Sequence, residues 1–219
     1  MGGPSVVSGP QWLSATLSAG GVPRSAVTMV ADCPAAHVDM LAAVTREGGC
    51  VAVVGYPSLA LAAVEAAGGD LERMVVVPDP EPHALAVVGT LVEGLDMVLF
   101  APSAPIAPAC ARPVEARLRK SKCALLVTGY TWPRARLTID VSMTGVVGLG
   151  YGLGRIRGVS IAGRVWGNAQ PPCAFHAVLG QKSVCRTADD RKTSPAMPGS
   201  FMGPFMSDAT CDLLREVAQ

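Results

Sequence analysis

Residues 20–41, GGVPRSAVTMVADCPAAHVDML, have the layout of a phosphate-binding strand, loop and helix. A P-loop of the form G-x-x-x-x-G-K-[ST] uses glycine backbone amides to hold phosphates, a lysine to contact the β- and γ-phosphates, and a hydroxyl to bind Mg²⁺. The corresponding places are taken here by Asp32, His37, Val38 and Asp39. The sequence therefore has the strand, loop and helix of a nucleotide site but lacks the side chains that bind phosphate.

Other patterns that could support chemistry are weaker. Alternating glycines over residues 148–154 resemble a dinucleotide fingerprint, but predicted antiparallel strands flank them and no helix follows, which favours a loop. The three histidines are too far apart in the predicted topology to form a metal site: His37, His83 and His176. No serine lies in a G-x-S-x-G context. We expect no catalytic residue, no metal and no cofactor.

The composition favours a protein whose surface is partly covered by a partner. Of the 219 residues, 50% are hydrophobic and 16% are charged, against roughly 25% charged in typical soluble domains. A net charge of +1 gives no general attraction to nucleic acid or anionic membrane. The seven cysteines include no C-x-x-C pair, and no segment has eighteen consecutive apolar residues. We expect a cytoplasmic protein with reduced thiols and no membrane attachment.

The order of predicted elements indicates an α/β fold. Continuous apolar strands are predicted over residues 26–30, 50–54, 74–77, 95–100 and 124–128, alternating with helices over 35–46, 58–67, 83–93 and 113–122. Strands without helices follow over 136–141, 159–166 and 173–179. This pattern predicts a mostly parallel sheet flanked by helices, with antiparallel strands added at one edge.

The two ends of the chain differ in composition from this core. Residues 1–19 are rich in Gly, Ser and Pro, which predicts a flexible N-terminal arm before a domain over 20–180. Residues 181–219 are predicted to be a polar linker and a C-terminal docking tail that orders when it binds a partner. The apolar anchors of the tail are Phe201, Phe205, Leu213, Leu214 and Val217. The alternative, that the tail folds back onto its own domain, stays open.

Basic residues cluster in two regions, on the predicted helix over 113–122 and around the edge strands. Such a run is usually a solvated surface, but it also offers weak contacts to DNA within a larger complex. The candidate phosphate contacts are Arg117, Arg119, Arg155 and Arg157. Binding of single-stranded DNA by the chain itself is an alternative function.

The succession GGVPRSAVTMV, CVAVVGYPSLA, LDMVLFAPS and ALLVTG resembles the core of the RecA-family recombinases at matching spacings. The segment WPRARLTIDVSMTGVVGLGYGLGRIRGVSIAGRVWG, around residues 134–166, looks like the ImuA-type accessory proteins of bacterial mutagenic repair, specifically the actinobacterial ImuA-prime form. The likeness covers about residues 19–180 and implies a RecA-like core.

The ATPase residues of the recombinases are missing at the matching positions. Their phosphate-binding lysine falls at Val38, their Mg²⁺-binding hydroxyl at Asp39, the acid that activates water at Tyr56, and the Walker-B aspartate at Ala101. Only about six residues separate Gly129 from the next predicted strand, where the recombinases carry a long DNA-binding segment. The resemblance therefore implies a degenerate ATPase.

The function implied by the resemblance is that of a non-catalytic scaffold in a DNA-damage-induced (SOS) translesion synthesis mutasome. Its partner would be ImuB, an inactive Y-family polymerase homologue, and through ImuB an error-prone C-family polymerase and the sliding clamp. The complex would lie on DNA, at the nucleoid, after damage. The alternatives are a nucleotide-binding ATPase or switch that uses the substituted residues, and a single-stranded DNA-binding repair protein.

Overall fold

The computed structural model describes residues 6–148, 156–180 and 184–187, all within one compact unit, Met1–Asp189. The strands are β1 (Val6–Ser8), β2 (Gly21–Pro23), β3 (Ala26–Val30), β4 (Val51–Val54), β5 (Met74–Val77), β6 (Met97–Phe100), β7 (Ala124–Val127), β8 (Leu137–Val147), β9 (Gly158–Gly167), β10 (Gln170–Leu179) and β11 (Val184–Thr187). The helices are α1 (Gln11–Thr16), α2 (Pro34–Arg46), α3 (Leu61–Ala66), α4 (Ala84–Leu91) and α5 (Pro108–Leu118), with a 3-10 turn at Leu71–Arg73.

A nine-stranded sheet in the order β11-β10-β9-β8-β3-β7-β6-β4-β5 forms the centre of the fold. The strands from β8 to β5 pair in parallel, and β9, β10 and β11 are added in antiparallel pairing beyond β8. Strands β1 and β2 form a separate antiparallel pair. The predicted α/β class is confirmed. One detail of the prediction is wrong, because β8 runs parallel to its neighbour β3.

The central parallel strands are buried on both faces, as their continuous apolar sequences require, whereas the edge strand β5 is partly exposed. All residues of β4, β6 and β7 are buried. Helices α1, α2 and α3 contribute to the hydrophobic cluster on one face, and α4 and α5 together with Trp132 contribute to the cluster on the other. This double cover fixes the parallel strands and aligns their carboxyl ends along one edge of the sheet.

The antiparallel strands are buried on one face and open on the other. Ile139, Val141 and Ile161 are buried with the cluster that includes α1 and α2. Asp140 and Trp166, on the opposite face of the strands, are exposed. The alternation of apolar and polar residues along β8 up to Ser142 follows this one-sided cover.

The N-terminal segment is part of the core, so the prediction of a flexible arm is wrong for the described residues 6–17. Trp12 and Leu13 are fully buried. The Trp12 indole Nε1 donates to Asp39 Oδ2 at 2.8 Å, and its ring stacks on Phe175 with centroids 4.9 Å apart. A helix of six residues is not stable alone. Helix α1 is therefore held by these tertiary contacts.

Several predicted boundaries also differ from the structure. Strands β3 and β5 have the predicted bounds, but α5 begins at Pro108 and ends at Leu118 in place of residues 113–122. Proline is favourable at the start of a helix, which accounts for the earlier beginning, and Pro113 lies inside the helix. Helix α3 has no side-chain cap from Ser58. Strand β11 lies within the segment predicted to be a linker.

The burial of Trp12 gives a prediction for stability. Trp12→Ala should lower the free energy of unfolding by about 3–5 kcal/mol, because it removes a fully buried ring and the donor to Asp39. Trp166→Ala, at a side chain 40% exposed, is the matched control and should lower the free energy by clearly less, because it leaves no enclosed cavity. Urea unfolding measures both values, and equal losses would contradict the structural role of α1.

Candidate functional site at the carboxyl ends of the parallel strands

The residues that match ATPase positions meet at the carboxyl ends of the parallel strands. Asp32 follows β3, Tyr56 follows β4, and Ala101 follows β6. Parallel pairing places these ends on the same edge of the sheet. This edge is where ligands bind in open α/β sheets.

Asp32 and Tyr56 are joined directly. The Tyr56 hydroxyl donates to Asp32 Oδ1 at 2.8 Å. Burial raises the pKa of Tyr56, and the hydrogen bond and negative charge of Asp32 raise it further. Asp32 directly precedes Cys33, the N-cap residue of α2, and a helix N-terminus is where a P-loop holds phosphate. The Asp32 carboxylate therefore lies beside the place where a P-loop protein would hold a phosphate.

His37 lies on the first turn of α2 and is fully buried. Its ring packs edge-on against Tyr56, with centroids 5.6 Å apart. Among the described residues, neither ring nitrogen has a partner at normal hydrogen-bond geometry. Burial lowers the pKa of His37 to about 4, against the opposing effects of the Asp32 charge and the Ala31 backbone. His37 is therefore neutral at pH 7 and supplies no positive charge for phosphate.

The next two positions are also engaged in packing. Val38 is partly buried against the cluster that contains α2. Asp39 accepts the hydrogen bond from Trp12, and burial raises its pKa, opposed by that bond and by the charge of Arg46. Asp39, at the position of the Mg²⁺-binding hydroxyl, therefore binds the N-terminal helix α1.

Ala101 stands in the place of the Walker-B aspartate and has no side-chain oxygen for a metal. Its backbone N–H donates to the Val54 carbonyl at 2.9 Å, which extends the pairing of β6 with β4. Its carbonyl lies against Gly55, which has a φ of +70° and no room for a side chain. The close contact positions the turn that leads to Tyr56.

A cleft of about 310 Å³ lies at the same edge, where β3, β7 and β8 meet. Its polar and aromatic lining residues include Asp32, Tyr130, Thr138, Asp140 and Trp166. Tyr130 and Trp166 are each 40% exposed. Sequence reasoning missed Asp140, Tyr130 and Trp166, because they come from separate elements without a common spacing. The sequence signal that could have indicated the cleft was an acidic residue, Asp140, and a tryptophan, Trp166, in neighbouring predicted strands.

The described candidate phosphate contacts lie in two places, at the end of α5 and before β9. Arg117 lies on α5, where its Nε is 3.7 Å from Glu93 Oε1. Arg119 is exposed at the C-cap of the same helix, and Arg157 is exposed just before β9. Arg155 lies outside the described residues. So do the predicted partner-binding residues Phe201, Phe205, Leu213, Leu214 and Val217.

Two further features are absent from the described residues. These residues contain no group of three or more His, Cys, Asp or Glu side chains that would hold a metal ion. None of the helices in this part of the chain has the length and hydrophobicity that a membrane crossing requires.

Comparison with known proteins places the chain in a family. Residues 15–134 match the family model described as the MT3502 N-terminal domain. The chain belongs to the MT3502 N-terminal domain family. The matched segment includes all the ATPase positions discussed above and ends before β8. The chain is also 33% identical over 166 residues to the uncharacterized protein Rv3395c of Mycobacterium tuberculosis (strain H37Rv), covering 71% of this chain and 81% of that protein.

The buried His37 gives a prediction for the pH dependence of stability. The unfolded chain binds a proton at this histidine near pH 6.5, whereas the folded chain binds it only near pH 4. The free energy of unfolding should therefore fall as the pH drops from 6.5 to 4, by at most about 3 kcal/mol from this group. His37→Phe should remove this component.

Urea unfolding at several pH values between 4 and 8 measures the component as the difference between the two proteins. His176→Phe, at an exposed histidine, is the control and should keep the wild-type slope. Parallel pH profiles for wild type and His37→Phe would contradict the buried, neutral state of His37.

Proposed function

We propose that this chain is a non-catalytic adaptor subunit, an ImuA-prime type accessory protein of a DNA-damage-induced translesion synthesis mutasome. Its direct partner is ImuB, and through ImuB it supports an error-prone C-family polymerase and the sliding clamp. The observation that carries the proposal is the use of ATPase positions for internal contacts. Asp39 binds Trp12, Tyr56 binds Asp32, and His37 is buried against Tyr56.

The charges at this edge support the absence of nucleotide chemistry. A bound triphosphate needs positive charge and backbone donors around it. Val38 supplies no charge, His37 is neutral, and Asp32 adds a negative charge beside the N-terminus of α2. Like charges that are brought close together repel each other. Nucleotide binding would therefore have to overcome the carboxylate that this site contains.

The exposed surface supports an adaptor role. Among the described residues, the antiparallel strands carry exposed apolar side chains in two places: Met143, Val146 and Val147 lie near the end of β8, and Trp166 lies on the open face of β9. Exposed apolar groups that lie together mark interaction sites more often than isolated ones. Together with the low proportion of charged residues, this surface favours a protein that works in a complex.

The resemblance of the sequence around residues 134–166 to the ImuA-prime form supports a mutasome as the complex. Within that complex, we propose that the tail docks on ImuB through Phe201, Phe205, Leu213, Leu214 and Val217. DNA would be contacted within the assembled complex, with Arg117, Arg119, Arg155 and Arg157 as candidate phosphate contacts.

Co-purification with ImuB from the same organism tests this function. The full chain should form a stable complex when the two proteins are expressed together. Deletion of residues 200–219 should weaken it by at least about tenfold in dissociation constant. A full-length control keeps the tail length but replaces its five apolar anchors with serine, and it should behave like the deletion.

Two results would contradict the proposal at different levels. Failure of the full chain to bind ImuB would show that the adaptor role is wrong. Binding that is unchanged in both tail variants would show that the tail is not the docking segment, while leaving the adaptor role intact. Damage-induced mutation frequency in cells that carry each variant should fall in parallel with binding.

A further inference from the structure

Helix α5 has one apolar face and one basic face. Ala111, Val114 and Leu118 are buried against the sheet, and their spacing of three and four residues places them on one side of the helix. The opposite side and the turn that follows the helix form a basic surface, which we call the α5 surface. Its exposed basic residues are Arg112, Arg117, Arg119, Lys120 and Lys122.

The cations of the α5 surface are close to one another. Arg112 and Arg119 are nearly two helical turns apart, so they lie on one line of roughly 10 Å along the helix. Lys120 follows Arg119 in the turn that ends the helix, where its backbone N–H donates to the Arg117 carbonyl at 3.0 Å. The geometry of one helix and its closing turn therefore fixes the spacing of these groups.

The acidic residue of this segment does not neutralise the surface. Glu115 Oε1 accepts a hydrogen bond from Nε1 of the buried Trp132 at 2.9 Å. Residues 108–122 contain five basic residues and one acidic residue, which gives a net charge of +4. Because the whole chain has a net charge of +1, the remaining residues have a net charge of −3. The positive charge of the molecule is thus concentrated here.

The elements that border α5 add little negative charge. Glu93 Oε1, after α4, lies 3.7 Å from Arg117 Nε, and Asp96 is paired with Arg24 at 3.0 Å. On the other side of α5, the chain leaves Trp132 and carries the exposed Arg134. The other four cations of the α5 surface take part in no ion pair among the described residues.

Two further acidic residues lie farther from this surface. Asp140 and Arg164 are opposite each other in the register of β8 and β9, so their charges largely offset each other. Glu81 lines a cleft at the N-terminal end of α5, where it accepts a hydrogen bond from Ser103 Oγ at 2.6 Å. The surface is therefore most positive toward the C-terminal half of the helix.

Helix stability accounts for only part of this pattern. Basic side chains near a helix C-terminus interact favourably with the helix dipole, which gives a structural reason for Arg117, Arg119 and Lys120. Arg112 lies in the first half of α5, and Lys122 lies beyond its end. Neither position gains from the dipole. These two residues therefore indicate a role for the charge itself.

A cleft of about 450 Å³ lies between the ends of α4 and α5, and its lining includes Arg117 and Lys120. The Arg117 side chain crosses α4 at Gly89, where an added Cβ would lie 3.4 Å from its Cδ and Nη1 atoms. The small residue on α4 thus leaves room for the guanidinium group. The surface therefore has a concave place beside two cations, in which an anionic group would fit.

The composition of the surface favours duplex nucleic acid over other anionic partners. A duplex carries one negative charge per roughly 1.7 Å of its axis, and the guanidinium fork matches phosphate geometry. Residues 108–122 contain no aromatic residue, whereas binding of single strands relies on stacking. The apolar side chains of α5 are buried, whereas a membrane-binding helix exposes them. Protein interfaces, in turn, are depleted in lysine.

We propose that the α5 surface binds the phosphate backbone of duplex DNA independently of base sequence. The contacts come from Arg112, Arg119, Lys120 and Lys122, with Arg117 at the border of the surface. Phosphate contacts position a protein on DNA without reading its sequence. The proposal rests on the proposed function for the choice of DNA as the nucleic acid, but the chain makes this contact without ImuB.

Fluorescence anisotropy of a labelled duplex of about 30 base pairs, titrated with the purified full-length chain at several salt concentrations, tests the proposal. The logarithm of the association constant should fall linearly with the logarithm of the salt concentration, with a slope of about −3 to −4. A duplex of unrelated sequence should bind equally well. The single strand of the same length should bind more weakly.

The combined variant Arg119→Gln/Lys120→Gln should weaken duplex binding by at least about tenfold at low salt and reduce the slope by about two. Arg112→Gln should reduce the slope by about one. Arg164→Gln is the matched control for Arg112→Gln, because it removes one exposed arginine outside the surface, and it should leave the slope unchanged. Circular dichroism confirms that each variant is folded.

Several results would overturn the proposal. These are absence of duplex binding by the wild-type chain at low salt, tighter binding of the single strand, and equal losses in Arg112→Gln and Arg164→Gln. Equally tight binding to vesicles that contain phosphatidylserine would identify a general anionic surface and would also overturn it. The combined variant should still co-purify with ImuB. Failure of the wild-type chain to bind ImuB would contradict the adaptor role while leaving a measured contact with DNA in place.

Discussion

The Trp12 indole is the contact on which the arrangement of the molecule depends. It donates to Asp39 on α2 and stacks on Phe175 of β10, so one buried side chain joins the N-terminal helix, the first helix of the parallel core and the antiparallel strands. Asp39 is mostly buried, and a buried carboxylate needs a donor to offset its lost hydration. The indole supplies that donor. The same bond engages the side chain at the position where a RecA-like ATPase would bind Mg²⁺.

The other positions that match the ATPase residues of the recombinases also make internal contacts. Asp32 accepts from Tyr56, and Tyr56 packs against His37. The carboxylate of Asp32 lies before α2, and the neutral imidazole of His37 fills space without offering charge. The fold is thus compatible with loss of phosphate binding, because its stability comes from apolar strands covered on both faces. Surfaces outside the site then become the candidates for function.

The sequence was most informative where one physical effect dominates. Continuous apolar runs correctly predicted the parallel strands, because the central ones are buried on both faces. The bounds of β3 and of the partly exposed edge strand β5 are correct to the residue. The burial of the N-terminal segment was missed because its Gly- and Pro-rich composition suggested mobility, whereas Trp12 anchors the segment in the core. The length of β8 was underestimated because the alternation stops near Met143, where the pairing register shifts. Asp140 and Trp166 could not be assigned to a cleft, since only the sheet topology brings them to Asp32 and Tyr130.

The central claim is that the ATPase positions serve the fold and no longer bind nucleotide. The most direct measurement is isothermal titration calorimetry of the full-length chain with ATP in the presence of Mg²⁺. The account predicts no saturable heat of binding and no stabilisation against thermal unfolding, because Asp32 opposes the phosphates and Val38 and Ala101 supply neither charge nor metal ligand. Saturable binding of ATP that is lost on changing Asp32 or Asp39 to alanine, in variants that remain folded, would contradict the account.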